Sequence, residues 1–203
     1  MKLGIIFAGQ GSQKVGMGKD LYEVYPEFRN SFDLLTEEHR RIAFEGTAEE
    51  IKATVNAQPI LLAFGMGVSK ILAKRGIRAD YTCGLSLGEY TALTSAGVFS
   101  EKEAMALIQF RANAMAKASE GLDTVMSAVL GLERKLLLSL CEKANEKAKV
   151  EIANYNCPGQ IVISGTRDGV TELERLAEEA GAKRTMRLSV SGPFHTSYME
   201  PAS

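Results

Sequence analysis

Residues that build disulfide frameworks and metal centres are scarce in this chain of 203 residues, which has three cysteines, two histidines and no tryptophan. The cysteines, Cys83, Cys141 and Cys157, are odd in number and lack the spacing of metal ligands. Such thiols are typical of a reducing cytoplasm and argue against a secreted disulfide framework. We therefore predict a cytoplasmic protein without a bound metal.

An excess of charge is also lacking, because 24 Lys and Arg residues balance 25 Asp and Glu residues. No basic field therefore indicates nucleic acid or an anionic membrane as a partner. We find no apolar run long enough to span a bilayer, and the apolar start at 3–7 meets Gly9 and Gly11 too early for a signal peptide. Length and composition fit one large globular domain, or a domain with a smaller inserted unit.

What the sequence does contain is the pentapeptide GLSLG at 84–88, a G-x-S-x-G pattern between a predicted strand at 80–83 and a predicted helix at 87–96. Its glycines allow a sharp turn and leave the hydroxyl of Ser86 at the apex. A serine beside a helix N-terminus is placed to attack a carbonyl group. The pentapeptide alone is weak support for a nucleophile, because glycine and serine also cluster in ordinary loops.

A serine nucleophile needs a base, and histidine suits this role because imidazole titrates near neutral pH. His39 lies in the charged run 36–41, which we interpret as a solvated helical face without a catalytic role. His195 lies in the loop SGPFHT at 191–196, after the last predicted strand. The residues alone leave two interpretations of His195 equally open: a catalytic base, or a loop histidine bonded to a carbonyl group.

Acyl chemistry also needs hydrogen-bond donors for an oxyanion. We expect one to be the backbone N–H of Leu87, directly after the serine. The other is expected from the loop GQG at 9–11, where glycines tolerate close approach. The rival interpretation of this loop is a phosphate site, which is weaker because the full G-x-G-x-x-G and Walker patterns are missing.

Arg111 is the charged residue whose place is hardest to predict. It sits in the apolar stretch 108–115, where it is either a surface residue or a buried partner for an anion. Composition favours the surface interpretation. If Arg111 is buried, its planar fork suits a carboxylate and would select a dicarboxylic acyl group.

The pattern along the chain predicts an α/β protein in two parts. Up to 123, strands at 3–7 and 80–83 alternate with helices. From 124 to 190 the order β-α-β-β-α-β is that of a ferredoxin-like subdomain, with a turn at 156–159. We predict a core formed by 1–123 and 191–203 and a small subdomain at 124–190.

Local signals predict where several helices begin or end. Capping boxes, a C-terminal glycine and a proline at a first helical position are recognised by their spacing. They fall at Thr47 with Glu50, Ser100 with Glu103, Gly97 and Pro59, the last opening a predicted helix at 60–74.

Six segments, spread over nearly the whole chain, resemble in sequence and order the motifs of malonyl-CoA:acyl-carrier-protein transacylases. This family also supplies acyltransferase domains of fatty-acid and polyketide synthases. The segments are FAGQGSQ (7–13), AQPILL (57–62), GLSLGEYTAL (84–93), QFRANAM (109–115), NYNCPGQIVISG (154–165) and SGPFHTSYM (191–199). The resemblance implies a hydrolase-like α/β core with a ferredoxin-like small subdomain, in agreement with the predicted order of elements.

The resemblance also implies a reaction and a role for each candidate residue. A malonyl group would pass from malonyl-CoA, the substrate, to the phosphopantetheine thiol of an acyl carrier protein, with no permanently bound cofactor and with a monomeric full-length enzyme. The implied roles are nucleophile for Ser86, base for His195, oxyanion donation by the amides of Gln10 and Leu87, carboxylate anchor for Arg111, pocket residue for Gln58, a position near the site for Asn156 and restriction of acyl size for Phe194.

The chain departs from the family pattern in two places. Most members have histidine where this chain has Leu85, a change expected to alter the packing of the turn rather than the chemistry. The family also continues well past the block that holds His195, and in many members a later backbone carbonyl orients that histidine. Because the sequence ends at Ser203, we expect His195 to lack that partner and an edge of the core to be uncovered.

Two other functions fit the same motifs. A serine hydrolase, such as an esterase or thioesterase, would use the same turn, release the acid to water and have no need of Arg111. A domain that only binds a carrier protein or a partner chain would form no acyl-enzyme.

Overall fold

The computed structural model describes residues 2–203, and the chain divides into two compact units between Asn113 and Ala114. The first unit mixes strands and helices, as the predicted α/β class requires. Its elements are β1 (Gly4–Phe7), α1 (Lys19–Val24), α2 (Pro26–Phe32), α3 (Glu37–Glu45), α4 (Ala48–Lys52), α5 (Thr54–Lys74), β2 (Tyr81–Gly84) and α6 (Leu87–Ser95), and α7 (Glu101–Ala118) begins in this unit.

Strands β1 and β2 position the two loops that matter most. They pair in parallel, with Phe7 opposite Gly84 at their last residues. Parallel strands end at the same edge of a sheet, so the loops that follow them are neighbours. The backbone N–H of Leu85 donates to the carbonyl of Phe7 at 3.1 Å. Strand pairing therefore brings the G-x-S-x-G turn beside the glycine loop at 9–11.

The core of the first unit is built around α5 and a group of aromatic rings. The rings of Phe28 and Phe32 stack with centroids 4.9 Å apart, and Phe32 stacks on Phe44 at 5.3 Å. Phe64 of α5 meets Phe28 edge-on at 5.6 Å. Large buried rings in such offset and edge-on pairs contribute strongly to the stability of a core.

The beginning of α5 differs from the sequence prediction. The helix begins at Thr54, so Pro59 lies inside it rather than at its first position. Proline has no N–H to donate to the carbonyl four residues earlier, which is that of Val55. The side chain of His39 hydrogen-bonds the Val55 backbone instead. A residue distant in sequence thus offsets the hydrogen bond that the proline removes.

His39 therefore does not occupy the solvated face predicted for it. It is partly buried, and this burial lowers the pKa of the imidazole, an effect that the hydrogen bond to Val55 opposes. Its Nδ1 lies 3.0 Å from Thr36 Oγ1, which also accepts from the His39 backbone N–H and so caps α3. His39 has a structural role at two helix ends.

Helix α5 also corrects the prediction about apolar runs. Its 21 residues are long and apolar enough to cross a membrane by length and composition. Within the protein, however, 56% of the apolar window is buried, as in the core helix of a folded unit. The sequence prediction missed this run because it placed the start of the helix at Ile60.

The other local signals, at Thr47, Ser100 and Gly97, are confirmed. At α4, Glu50 N donates to Thr47 Oγ1 at 3.2 Å and Thr47 N donates to Glu50 Oε2 at 2.7 Å. Ser100 and Glu103 form the same reciprocal pair at α7, with distances of 2.8 and 3.3 Å. Gly97 follows α6 with a φ of 80°, the left-handed backbone expected of a C-terminal glycine.

The second unit contains an antiparallel sheet in the order β4-β5-β3-β6, and its elements follow the predicted order β-α-β-β-α-β. The turn between β4 and β5 is shorter than predicted, because β4 continues to Cys157. The elements are β3 (Thr124–Leu130), α8 (Arg134–Asn145), β4 (Val150–Cys157), β5 (Gln160–Thr166), α9 (Arg167–Glu179), β6 (Arg184–Arg187) and a 3₁₀ helix (Ser197–Ala202).

Alternation along β5 explains why both faces of this sheet are apolar. Ile161 and Ile163 belong to a buried cluster that includes Leu173 of α9. Val162, between them in sequence, belongs to a different cluster with Phe194. Successive side chains of a strand point to opposite faces, so the chain segment that carries Phe194 covers the face that the helices leave open.

We expect Phe28→Ala to lower the free energy of unfolding by about 3–5 kcal/mol, because it removes a fully buried ring and leaves a cavity. Phe110→Ala is the matched control, since that ring is 75% exposed, and it should change stability by no more than about 0.5 kcal/mol. Denaturant unfolding measures both values. Equal losses for the two variants would show that the aromatic group is not the core of the first unit.

Candidate active site

Ser86 occupies a strained turn between β2 and α6. Its backbone has φ 55° and ψ −109°, and among the described residues only Ser86 and His195 combine a positive φ with a side chain. Residues other than glycine adopt such angles at a cost of roughly 1–3 kcal/mol, and they do so mostly at functional sites. The turn therefore has the geometry that the G-x-S-x-G pattern predicts.

Two glycines make this turn possible for steric reasons. A Cβ added at Gly84 would lie 2.0 Å from the carbonyl carbon and oxygen of Gly88. One added at Gly88 would lie 2.2 Å from the carbonyl oxygen of Phe7. The first turn of α6 thus lies so close to the end of β1 that a hydrogen atom, but no Cβ, fits on the Cα of Gly88.

The start of α6 supplies backbone donors next to Ser86. Leu87 is the first residue of the helix and is 1% exposed. Amides in the first turn of a helix have no acceptor within the helix. They also lie at the positive end of the helix dipole, where negative charge is stabilised. This is the place where an oxyanion donor is predicted.

The glycine loop after β1 approaches the same turn. A Cβ added at Gly9 would lie 2.8 Å from the carbonyl oxygen of Leu85. Within the loop, Ser12 Oγ donates to the carbonyl of Gly9 at 3.0 Å. The side chain of Gln10 is held by Thr54, with Nε2 donating to Oγ1 at 3.1 Å. The side chain of Gln10 is thus directed to α5, and its backbone belongs to a loop that is braced internally.

Arg111 contacts Ser86 directly, which overturns the surface interpretation that composition favours. Arg111 Nη2 donates to Ser86 Oγ at 2.9 Å, and Nη1 donates to Gln58 Oε1 at 2.7 Å. Arg111 is partly buried. Burial lowers the pKa of the guanidinium, whereas the nearby Tyr90 and Glu89 act in the opposite direction. An arginine nonetheless stays protonated in proteins, so a cation lies beside the hydroxyl of Ser86.

Gln58 and Tyr90 both contact this guanidinium. Gln58 is 1% exposed on α5. The ring of Tyr90 lies 5.6 Å from the guanidinium carbon of Arg111, within the range of a cation–π contact. Sequence analysis missed Tyr90, although its position four residues after Ser86 places it one helical turn along α6.

The other predicted residues lie in the second unit. Phe194 is 5% exposed in the apolar cluster described above, whereas His195 is exposed and has a φ of 61°. Asn156 is an exposed residue of β4. In residues 2–203 no group of three His, Cys, Asp or Glu side chains could hold a metal ion. The first unit therefore assembles Ser86 with Arg111, and the second carries the histidine.

Comparisons with known proteins give a consistent result. A family model for the acyl transferase domain matches residues 5–203. The chain is 44% identical over 207 aligned residues to a malonyl CoA-acyl carrier protein transacylase of Bacillus subtilis, covering 100% of this chain and 65% of the relative. The chain thus spans slightly less than two thirds of the length of that relative.

Solved structures resemble the chain equally well. One is a malonyl-transacylase in complex with a type II polyketide synthase acyl-carrier protein, with a TM-score of 0.93, 33% identity, and coverage of 100% of this chain and 67% of that one. Another is an acyl-carrier-protein S-malonyltransferase from Bartonella henselae, with a TM-score of 0.92, 40% identity and the same two coverages.

We expect Gly88→Ala to lower the free energy of unfolding by about 1–3 kcal/mol, the usual cost of inserting a methyl group into a filled space. Alanine is otherwise the better helix former, so a loss must come from the collision with the Phe7 backbone. Gly4→Ala is the control, because no atom lies within 4 Å of an added Cβ. Denaturant unfolding distinguishes them, and a Gly88→Ala protein as stable as the parent would contradict the close approach.

Proposed function

Because the chain belongs to the acyl transferase domain family, we propose that it transfers a malonyl group from malonyl-CoA to the phosphopantetheine thiol of an acyl carrier protein. The observation that carries this proposal is the pair of hydrogen bonds from Arg111 to Ser86 and Gln58. They place a cation that suits a carboxylate beside a serine that suits a nucleophile.

In the first half-reaction, Ser86 Oγ attacks the thioester carbonyl of malonyl-CoA and His195 accepts the hydroxyl proton. Because Ser86 Oγ accepts a hydrogen bond from Arg111, its own proton is available to a base. The oxyanion of the tetrahedral intermediate receives hydrogen bonds from the backbone amides of Leu87 and Gln10. Collapse of the intermediate expels coenzyme A, whose sulfur takes the proton from His195, and leaves malonyl-Ser86.

In the second half-reaction, the thiol of the carrier protein's phosphopantetheine attacks malonyl-Ser86. His195 accepts the thiol proton and returns it to Ser86 Oγ as the malonyl thioester leaves. The fork of Arg111 holds the distal carboxylate of the malonyl group through both steps, with Gln58 keeping the guanidinium in place. An acetyl group has no such carboxylate, so Arg111 sets the preference for malonyl.

Residues of the second unit complete the proposed specificity. The ring of Phe194 restricts acyl size by leaving no room for an α-methyl group, and its burial keeps the ring fixed. By the same resemblance, Asn156 is assigned to the neighbourhood of the site. No permanently bound cofactor takes part. These roles rest on the motif resemblance, which covers 154–165 and 191–199.

The same resemblance supports a finer description of the fold. As fold classes, we assign a hydrolase-like α/β core to 1–123 and 191–203, and a ferredoxin-like small subdomain to 124–190. By packing, however, 114–123 and 191–203 belong to the second compact unit. The strand order β4-β5-β3-β6 supports the second assignment, because β3-α8-β4-β5-α9-β6 with the first strand central is a split βαβ arrangement. We place the protein in the cytoplasm and expect the full-length enzyme to be monomeric.

We expect mass spectrometry to find a malonyl adduct on the protein after incubation with malonyl-CoA, and peptide mapping to place it on Ser86. Ser86→Ala should abolish the adduct, whereas Ser139→Ala, at an exposed serine of α8, should not. An adduct that persists in Ser86→Ala would remove the nucleophile assignment. Release of malonate that outpaces transfer to a carrier protein would favour a hydrolase instead.

We expect Arg111→Ala to reduce the preference for malonyl-CoA over acetyl-CoA by about 30-fold. This corresponds to about 2 kcal/mol, a typical value for a hydrogen bond to a charged group. Arg111→Lys should recover only part of the preference, because lysine lacks the planar fork. Arg78→Ala, at an exposed arginine, is the control. The measurement is kcat/KM for both substrates, and equal losses for both would remove Arg111 from the specificity role.

A further inference from the structure

His195 is held in a backbone conformation that it would not adopt unaided. Its φ of 61° lies in the left-handed region, which costs a residue with a Cβ roughly 1–2 kcal/mol. Strain of this kind persists only where neighbouring contacts over-determine the backbone. The contacts on either side of His195 therefore show what fixes the direction of its side chain.

The residues before and after His195 are anchored by burial. Phe194 is 5% exposed and packs in the apolar cluster of the sheet. Thr196 is 9% exposed, and its Oγ1 donates to the carbonyl of Pro193 at 2.5 Å, so the hydrogen bond spans His195. These local contacts fix the turn at 193–196. A contact with the sheet is also needed to fix the backbone that follows the turn.

Lys149 and Glu151 provide this contact by forming hydrogen bonds with Ser197. We call these three residues the Ser197 clamp. Glu151 Oε2 accepts from the Ser197 backbone N–H at 2.8 Å, and Oε1 accepts from Ser197 Oγ at 2.5 Å. Lys149 Nζ donates to Ser197 Oγ at 2.5 Å and lies 3.4 Å from Glu151 Oε1. The hydroxyl thus donates to the carboxylate and accepts from the ammonium group.

The clamp is supported by the sheet, and its hydrogen bonds favour the carboxylate form of Glu151. Glu151 is a residue of β4, paired with Ser164 of β5, and residues two apart along an extended chain share a face, which brings Lys149 to the same side. Burial acts to raise the pKa of Glu151, but hydrogen bonds from Ser197 and Lys149 hold that pKa below its usual range. Lys149 Nζ also lies 4.4 Å from the ring centre of Tyr198.

We propose that Lys149 and Glu151 are positioning residues for the acyl transfer, acting through Ser197 to hold the imidazole of His195 in one orientation. This inference rests on the proposed function, in which His195 is the base. In this proposal neither residue contacts the substrate, and both act through Ser197. Their effect is to fix the backbone two residues after the histidine, at the point where the strained turn leaves the sheet.

The orientation of the ring can be tested without any activity. Protein labelled with nitrogen-15 histidine gives signals from two imidazoles, and His39→Gln assigns them. In Glu151→Ala and in the milder Glu151→Gln, we expect the His195 signals to broaden or split while those of His39 stay unchanged. Glu172→Gln is the matched control, because it breaks an ion pair of 2.7 Å with Lys147 in the same unit.

A kinetic measurement then connects the clamp to the reaction. We expect the saturating rate of Ser86 malonylation to fall roughly 10- to 100-fold in Glu151→Gln, the usual effect of a small misplacement of a catalytic group. The malonyl-CoA concentration at half-saturation should change less than about twofold, because Arg111 and Gln58 are untouched. Ser197→Ala should lower the rate by a similar factor. Ser197→Thr, which keeps the hydroxyl group, should retain most of the rate of the parent protein.

The outcomes separate this proposal from the proposed function. If the parent protein does not label at Ser86, the proposed function fails, and the histidine spectra still decide whether the clamp orders His195. If the parent labels and the clamp variants change neither the ring signals nor the rate, the positioning role is wrong. The same holds if thermal stability and rate fall together while the ring signals stay those of the parent.

Discussion

The backbones of β1 and of the first turn of α6 approach so closely at Phe7 and Gly88 that no side chain fits between them. This approach fixes where β2 ends, how sharply the chain turns at Ser86 and where the first amides of α6 point. Parallel pairing of the strands then places the glycine loop after β1 beside the same turn. A methyl group at 84 or 88 would overlap backbone atoms, which cannot rotate away as a side chain can.

The guanidinium of Arg111 distinguishes the turn at Ser86 from other turns of the same shape, because it places a positive charge beside the hydroxyl group. Arg111 is partly buried and donates to neutral acceptors, the amide oxygen of Gln58 and the hydroxyl of Ser86. Moving a charge out of water costs free energy that neutral partners only partly return. An anion bound at the same fork would return more, since hydrogen bonds between ions are about twice as strong as neutral ones. An anionic group bound at this fork would therefore be held more strongly than a neutral one.

Ser86 and His195 both have a positive φ, although they are distant in sequence. Different contacts surround the strained backbone in the two places. At Ser86 the strain is maintained by the glycines at 84 and 88, which allow close backbone contact. At His195 the neighbouring contacts are the burial of Phe194 and the hydrogen bonds of the Ser197 clamp. In both cases contacts of neighbouring residues hold a backbone conformation that the residue alone would disfavour.

The sequence by itself determined the features that depend on neighbours along the chain. The capping boxes at Thr47 and Ser100 and the order of strands and helices from 124 to 190 follow from patterns within a few residues. Tertiary structure decided the start of α5, the burial of His39 and the place of Arg111. These depend on partners 16 to 53 residues away, such as Val55 for His39 and Gln58 for Arg111. Composition around a charged residue does not reveal such a partner, because only folding brings it within hydrogen-bond distance.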